Sequence, residues 1–334
     1  MIQRYTNVEE ALAYLAEYES FDNHGTATFQ SCHRKGYYHL VGPFGEPLAL
    51  KVGEAANFGT VWHAGLAAFY SRHNAELPYP RRLIAAVRRF NDEWQKLFAN
   101  NPALGNKYKL TRGVQQLILY LDHYRSEDQF YKVVDSEVGF GIVIKPRPAE
   151  HPFKPFVFYG RIDRVLYRET MQDVVVGETK TTGGDPVARL KEMRIDRQTQ
   201  GYFKMLKAMH AGHVGGVILD VAQITATKIT NDCWARDFVQ LREADGELWR
   251  SETVAIVEQI RELKTRSKAL LGDNASVLAT WDRRTAECTH YGLCPYYDLC
   301  LFGITADTMK DHRPNVWHPL KDEIKEMVVT DESI

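Results

Sequence analysis

The chain has 334 residues, 44% hydrophobic and 25% charged, with a formal net charge of −1. That length suits one large domain or two modest ones, and the balanced charge leaves any basic surface to local clusters. No run approaches the ~18 apolar residues of a membrane span, and the acidic, helix-like start does not read as a signal peptide. A cytoplasmic protein without membrane contact is therefore expected. The five cysteines are an odd number, which argues against a disulfide framework in that compartment.

In chain order, residues 1–20 read as an amphipathic helix with Val8, Leu12, Leu15 and Ala16 on one face. A polar turn and the stretch TFQSCHRKGYYHLVG follow, with Cys32 beside His33, Arg34 and Lys35; a Gly/Pro-rich loop comes at residues 42–47. Residues 58–70 predict a helix starting through Gly59 and Thr60, with Trp62, Leu66 and Phe69 or Tyr70 as its apolar stripe. His63 is the titratable group on its first turns. A lone helical histidine is more often structural than catalytic, and only company at a site changes that. Residues 83–124 look helical, with 107–124 as a second helix. Arg81, Arg82, Arg88 and Arg89 lie ahead of Trp94, a solvated helix face by default and a phosphate-backbone contact otherwise. Residues 131–144 alternate as a strand, where Glu137 is a weaker candidate carboxylate. A proline-rich link at 146–155 ends this half.

Residues 156–202 form the centre of the chain. They contain FVFYGRIDRVLY, then VVVGETKTTGG, then RQTQGYFKML. With the period of two of a strand, Val174, Val176, Glu178 and Lys180 share one face, and Tyr159, Arg161, Asp163 and Val165 share another. The polar loop 168–173 reads as a hairpin connection centred between Thr170 and Met171. That register puts Asp163 opposite Glu178, where Cβ atoms lie roughly 4.5–5.5 Å apart, close enough to share a divalent ion. Without an ion the two would repel and one pKa would rise. A surface hairpin with solvated charges is the plain alternative. The runs VVV and FVFY speak for a buried sheet, in which a carboxylate needs a partner.

After Lys180, Asp185-Pro186 starts a helix made basic by Arg189, Lys191, Arg194 and Arg197. Asp196 caps another, on which Gln198 and Tyr202 share a face at i, i+4. That pair reads either as the polar edge of an ordinary helix or as hydrogen-bonding groups for a phosphate or base. Residues 215–229 predict a strand and 247–271 a long charged helix. No repeat or clear linker divides the chain, so residues 1–334 are taken as one elaborated domain.

Cys288, Cys294 and Cys300 are spaced C-x5-C-x5-C. Three thiolates need a fourth ligand; Cys32 is the obvious distant one, with Cys233 or His290 as alternatives. Four thiolates would hold Zn²⁺ or a [4Fe–4S] cluster. If Cys32 joins, closing so long a loop carries an entropic term on the order of 5 kcal/mol.

Taken together and in order, these motifs resemble the PD-(D/E)XK nuclease superfamily, and within it the RecB-like, Cas4-like and AddB-like iron–sulfur branch. GTVWH matches its histidine motif, GRIDRV its first acidic motif, GETK its acidic-x-lysine motif and QTQGY its Gln-x-x-x-Tyr motif. One cysteine before the core and three after it match Cys32, Cys288, Cys294 and Cys300. The resemblance implies an α/β fold with a restriction-endonuclease-like core: a central mixed sheet flanked by helices, a helical insertion at about residues 71–125, and an iron–sulfur subdomain joining the N- and C-terminal segments. It implies Mg²⁺ or Mn²⁺ on His63, Asp163, Glu178 and the Thr179 carbonyl, and Lys180 orienting the attacking water. Gln198 and Tyr202 would position the strand. The implied activity is metal-dependent DNA hydrolysis, with an exonuclease on ends or single strands favoured. Two other readings are a DNA-binding or scaffold module that does not cleave, and a zinc-stapled protein with an incidental hairpin.

Overall fold

The structure, a computed structural model, describes all residues except 1, 6–7, 42–53, 100–108, 149, 211–212, 225–227, 270–273, 290–292, 311, 313–326 and 332–334. The loop expected at 42–47 and His290 thus lie outside the described residues. Eight strands form one mixed sheet: β1 (Ile2–Tyr5), β2 (Glu19–Asp22), β3 (Tyr131–Ile144), β4 (Phe156–Arg168), β5 (Asp173–Thr182), β6 (Val214–Gln223), β7 (Trp234–Val239) and β8 (Met327–Asp331). Their order is β1-β8-β3-β4-β5-β6-β7, and β2 pairs in parallel with the first part of β4.

Helices cover both faces, as a sheet buried on both sides requires. Against one face lie α2 (Asn23–Ser31), α7 (Pro186–Ile195), α8 (Arg197–Met209) and α9 (Glu243–Lys268), closing a core that includes Phe140, Phe158, Val176, Leu206 and Trp249. Against the other lie α4 (Glu54–Phe69), α5 (Tyr79–Trp94) and α6 (Leu110–Asp128), with an aromatic core of Phe58, Trp62, Phe90, Trp94, Tyr120 and Trp234. Arg82 of the predicted basic patch is drawn into this group: its guanidinium lies 4.1 Å from the Phe69 ring centre and its Nε donates to the Phe69 carbonyl. Arg89 pairs with Glu93 on the same helix. Arg89 thus fits the plain reading of a solvated face, whereas Arg82 fits neither reading of the patch.

The central hairpin follows its sequence closely. Arg168 pairs with Asp173, Val165 with Val176 and Arg164 with Gly177, the register centred between Thr170 and Met171. Gln172 takes a positive φ of 52° to complete the turn, and Arg168 and Asp173 close it with a two-bond ion pair. Asp185 and Asp196 cap α7 and α8 by accepting the N–H of Val187 and Gln198.

The N-terminal expectation is corrected. Residues 1–20 form not one helix but β1, the helix α1 (Val8–Leu15) and the start of β2. The helical period there is real: Ala11 and Leu15 bury against Val143, Val157 and Tyr159. The flanking tetrapeptides gain their hydrogen bonds from distant strands, which no local pattern discloses. The cysteine-bearing stretch is helical, as α2 and α3 (His33–Leu40), broken at the extended Cys32. Helix α4 begins at Glu54, before the expected Gly59, which lies within it. A Cβ on Gly59 would come 3.3 Å from Thr181 Oγ1, so this glycine lets the helix lie close to β5.

Candidate metal centre and active site

Strand β4 is shared along one edge. Its residues 156–159 pair with β2 and residues 164–168 pair with β5. The β4–β5 ladder stops at Arg164–Gly177, one step short of Asp163 and Glu178, and beyond it β5 continues with β6 alone. The two carboxylates therefore stand at a fork where the strands part. The ladder leading to them keeps the expected register, but Asp163 and Glu178 are not themselves a paired step, and the opening leaves room that a continuous ladder would not.

Several groups converge on the fork. Asp163 Oδ2 accepts the Thr179 N–H at 3.0 Å and lies 3.4 Å from His63 Nδ1, brought in by α4. Glu178, only 2% exposed, places Oε1 2.6 Å from Lys180 Nζ, while its Oε2 is buried without a hydrogen-bond partner. Burial, reinforced by Asp163, pushes the Glu178 carboxyl up to about 8. Burial also opposes the Lys180 charge, but Glu178 and Asp163 outweigh it and hold the ammonium above its ordinary range. His63 is lowered by burial, with Asp163 acting against that, so its imidazole favours the neutral form that ligates metal. From α8, the Gln198 amide donates to the Tyr202 hydroxyl at 2.6 Å. Tyr202 is raised well above its usual range, by burial first and then by Glu178 and Asp163.

Among the described residues, the group of three donors lying within 4.8 Å of one another is His63, Glu137 and Asp163. Glu137 is thus closer to the centre than its alternating strand suggested. The β3–β4 ladder runs Ser136–Arg164 and Val138–Ile162, so Glu137 comes level with Asp163. It does so with φ at +54°, a conformation unusual for a residue with a side chain. Arg161 Nε lies 2.9 Å from its carboxylate. Three neighbouring strands each bring a carboxylate to one place, and a helix adds a histidine. Glu178 is outside the mutual 4.8 Å group and turns to Lys180. The orphaned Glu178 oxygen and the mixed oxygen–nitrogen donor set fit a hard divalent cation.

The cysteines gather elsewhere. Cys294 and Cys300 pack around Tyr38, Leu278, Tyr296 and Leu299. The Cys32 thiol accepts the Arg284 N–H at 3.4 Å, and Arg34 donates to the carbonyls of Trp281 and Leu278 and to Cys300 Sγ at 3.7 Å. Burial pushes the Cys294 thiol up, and the nearby Cys288 and Cys32 add to that. Cys233 belongs to the aromatic core on the far face, where its sulfur accepts the Thr230 N–H; it is not a fourth member of the group. A cavity of about 600 Å³ near Tyr79, Arg82, Arg125 and Asp128 contains none of the fork residues.

A family model described as the PD-(D/E)XK nuclease superfamily matches residues 25–301. No curated protein matches the chain. One solved structure, titled "Crystal structure of SSO0001", is similar at 19% identity and a TM-score of 0.29, over 66% of this chain and 82% of its own.

Proposed function

We propose, from the premise that the chain belongs to the PD-(D/E)XK nuclease superfamily, that it is a metal-dependent nuclease that hydrolyses DNA phosphodiester bonds at the β4–β5 fork. The observation carrying this reading is Glu178: a fully buried carboxylate with one oxygen on Lys180 and the other without a partner, beside Asp163. With Lys180 as its near counter-charge, burial still raises this carboxyl to about 8, and a divalent cation on the free oxygen would favour its ionised form. His63, Asp163, Glu178 and the Thr179 carbonyl would hold Mg²⁺ or Mn²⁺, with Glu137 within reach of the same place. A bound cation supplies Lewis acidity and lowers the pKa of a water. Lys180, kept charged by its neighbours, would orient the attacking water and offset charge developing on the phosphate. Tyr202 takes its hydrogen bond from Gln198, leaving its own proton to donate toward substrate. Together they would position the scissile strand.

The favoured substrate is DNA with an end or a single-stranded part, cut exonucleolytically, in keeping with the RecB-like branch that the ordered motifs resemble. The thiols of Cys32, Cys288, Cys294 and Cys300 would hold a [4Fe–4S] cluster that clasps α2 and α3 to the C-terminal segment. The shared surroundings of Cys32, Cys294 and Cys300 support this, Zn²⁺ being the alternative occupant. Digestion of end-labelled linear and circular DNA, single- and double-stranded, with Mg²⁺ and Mn²⁺ tests the reading. Cleavage of linear DNA alone is expected, and Glu178→Ala and Lys180→Ala should each reduce it by about 100-fold or more while folding persists. Full cleavage by either variant would sink the assignment. Iron and absorbance near ~400 nm after anaerobic purification are expected; a colourless zinc protein would overturn the cluster.

A further inference from the structure

Asp163 faces the fork, and Arg164, the next residue along β4, faces the other side of the sheet. Its Nη2 donates to Thr179 Oγ1 at 2.9 Å and to Asp220 Oδ2 at 2.5 Å. Asp220 Oδ1 accepts from Arg236 Nε at 2.6 Å, and Arg236 Nη1 donates to Asp128 Oδ1 at 2.7 Å. The other Asp128 oxygen accepts the Tyr70 hydroxyl. The Tyr70 ring lies 4.7 Å from the Arg164 guanidinium, which closes the circle. Five side chains thus form a ring through β4, β6, β7, the end of α6 and the residue that follows α4. Asp220 is fully buried, and Arg164 and Tyr70 nearly so. Burial opposes the arginine charges, yet the aspartates keep both guanidinium groups above their ordinary range.

Stability is a poor reason for such a ring. Buried ion pairs are often no better than apolar side chains of the same volume, and their attested use is to specify one geometry. Here Arg164 Nε remains without a hydrogen bond, so the arrangement is not one of full satisfaction. What the ring does is hold three elements at fixed spacing. Tyr70 directly follows the helix that carries His63. Arg164 follows Asp163 directly. Thr179 hangs from Arg164 by its hydroxyl, while its own N–H is held by the Asp163 carboxylate.

We propose that this ring is the positioning frame of the metal centre: Arg164, Asp220 and Tyr70 set the spacing of α4, β4 and β5, and through it the affinity for a divalent cation that they do not touch. The proposal rests on the reading of the fork as a metal site. Partners behind metal ligands commonly change affinity by about 10–100-fold when removed.

The test is calorimetric titration of the full-length protein with Mn²⁺, for wild type, Tyr70→Phe, Arg164→Lys and the control Ser267→Ala. The control breaks a buried hydrogen bond from Trp281 to α9, outside the ring. Tyr70→Phe and Arg164→Lys should weaken Mn²⁺ binding by about 10-fold. The Mn²⁺ concentration for half-maximal cleavage should rise in step, with the rate at saturating metal retained. Ser267→Ala should lose stability and leave Mn²⁺ affinity alone. Wild-type affinity in Tyr70→Phe would overturn the frame even if Arg164→Lys fails to fold, since Tyr70→Phe keeps the phenyl group and removes only the hydroxyl bonded to Asp128. A wild type that binds no Mn²⁺ would instead overturn the fork as a metal site, and the frame with it.

Discussion

Asp163 and Arg164 are neighbours in sequence, and the sheet treats their charges in opposite ways. On the Arg164 side, two arginines alternate with two aspartates and each charge meets its opposite. On the Asp163 side, carboxylates from β3, β4 and β5 converge on one histidine, Lys180 and Arg161, and a buried Glu178 oxygen has no hydrogen-bond partner. Both regions are buried polar clusters, so burial alone does not separate scaffold from site. The difference lies in the balance: in the ring each charged group meets an opposite one, whereas at the fork three carboxylates meet two cationic side chains and one Glu178 oxygen is left over. That leftover is what the proposed cation would satisfy.

The contrast can be broken most forcefully at Asp220. Asp220→Ala would leave Arg164 and Arg236 buried without their shared anion and should lower the unfolding free energy by about 3–5 kcal/mol, read by urea denaturation. A loss under about 1 kcal/mol would mean that water already neutralises the ring. At Glu178 the sign should reverse. Burial and Asp163 raise its folded pKa to about 8, above the ordinary 4.5. Its contribution is therefore fully present below 4.5 and is lost as pH rises through 8. Metal-free Glu178→Gln should thus gain on wild type between pH 5 and 8.5, by at least about 1 kcal/mol, the linkage equivalent of less than one pKa unit. Saturating Mn²⁺ should remove the difference or invert it. Parallel pH profiles would show that Glu178 is already compensated. The smallest effect is expected where the fork meets the apolar core. Tyr202→Phe keeps the ring that packs edge-on to Phe140 and removes the acceptor for Gln198. It should cost about 0.5–1.5 kcal/mol in thermal or urea unfolding, with a cleavage loss well below that of Glu178→Ala.

Much of the fork is legible in the sequence because local rules build it. Period-two alternation and a polar hexapeptide set the hairpin register, and aspartates before helical runs mark α7 and α8. Ordered motifs bring in His63, Gln198 and Tyr202, whose placement no local pattern supplies. Glu137 is harder to see. Alternation places it on a strand, but its left-handed φ, which re-aims the chain beside Asp163, has no glycine or asparagine to announce it. The ring is harder still. Asp128, Asp220 and Arg236 are single charged residues on separate elements, and only tertiary packing joins them. The short strands β1 and β2 escape notice for a similar reason: their partners lie at Met327–Asp331 and Phe156–Tyr159. The cysteine group falls between these cases: spacing proposes it, and the docking of Arg34 on Trp281 and Leu278 provides the contact.

Gly177 carries a consequence for how this protein can change over generations. A Cβ at that position would sit 2.9 Å from Arg164 Nε. Glycine at 177 and arginine at 164 are therefore sterically coupled and should be inherited as one unit. A lineage that gains a side chain at 177 must give up or re-route the guanidinium, and with it the hydroxyl bond to Thr179. A lineage that shortens residue 164 removes the guanidinium clash but keeps the residue-164 Cβ 3.2 Å from a Cβ at 177, so only a small side chain would gain room there. The GETK motif would thus be inherited with a silent companion one strand away, and exchange of either residue alone between relatives should be worse tolerated than exchange of both.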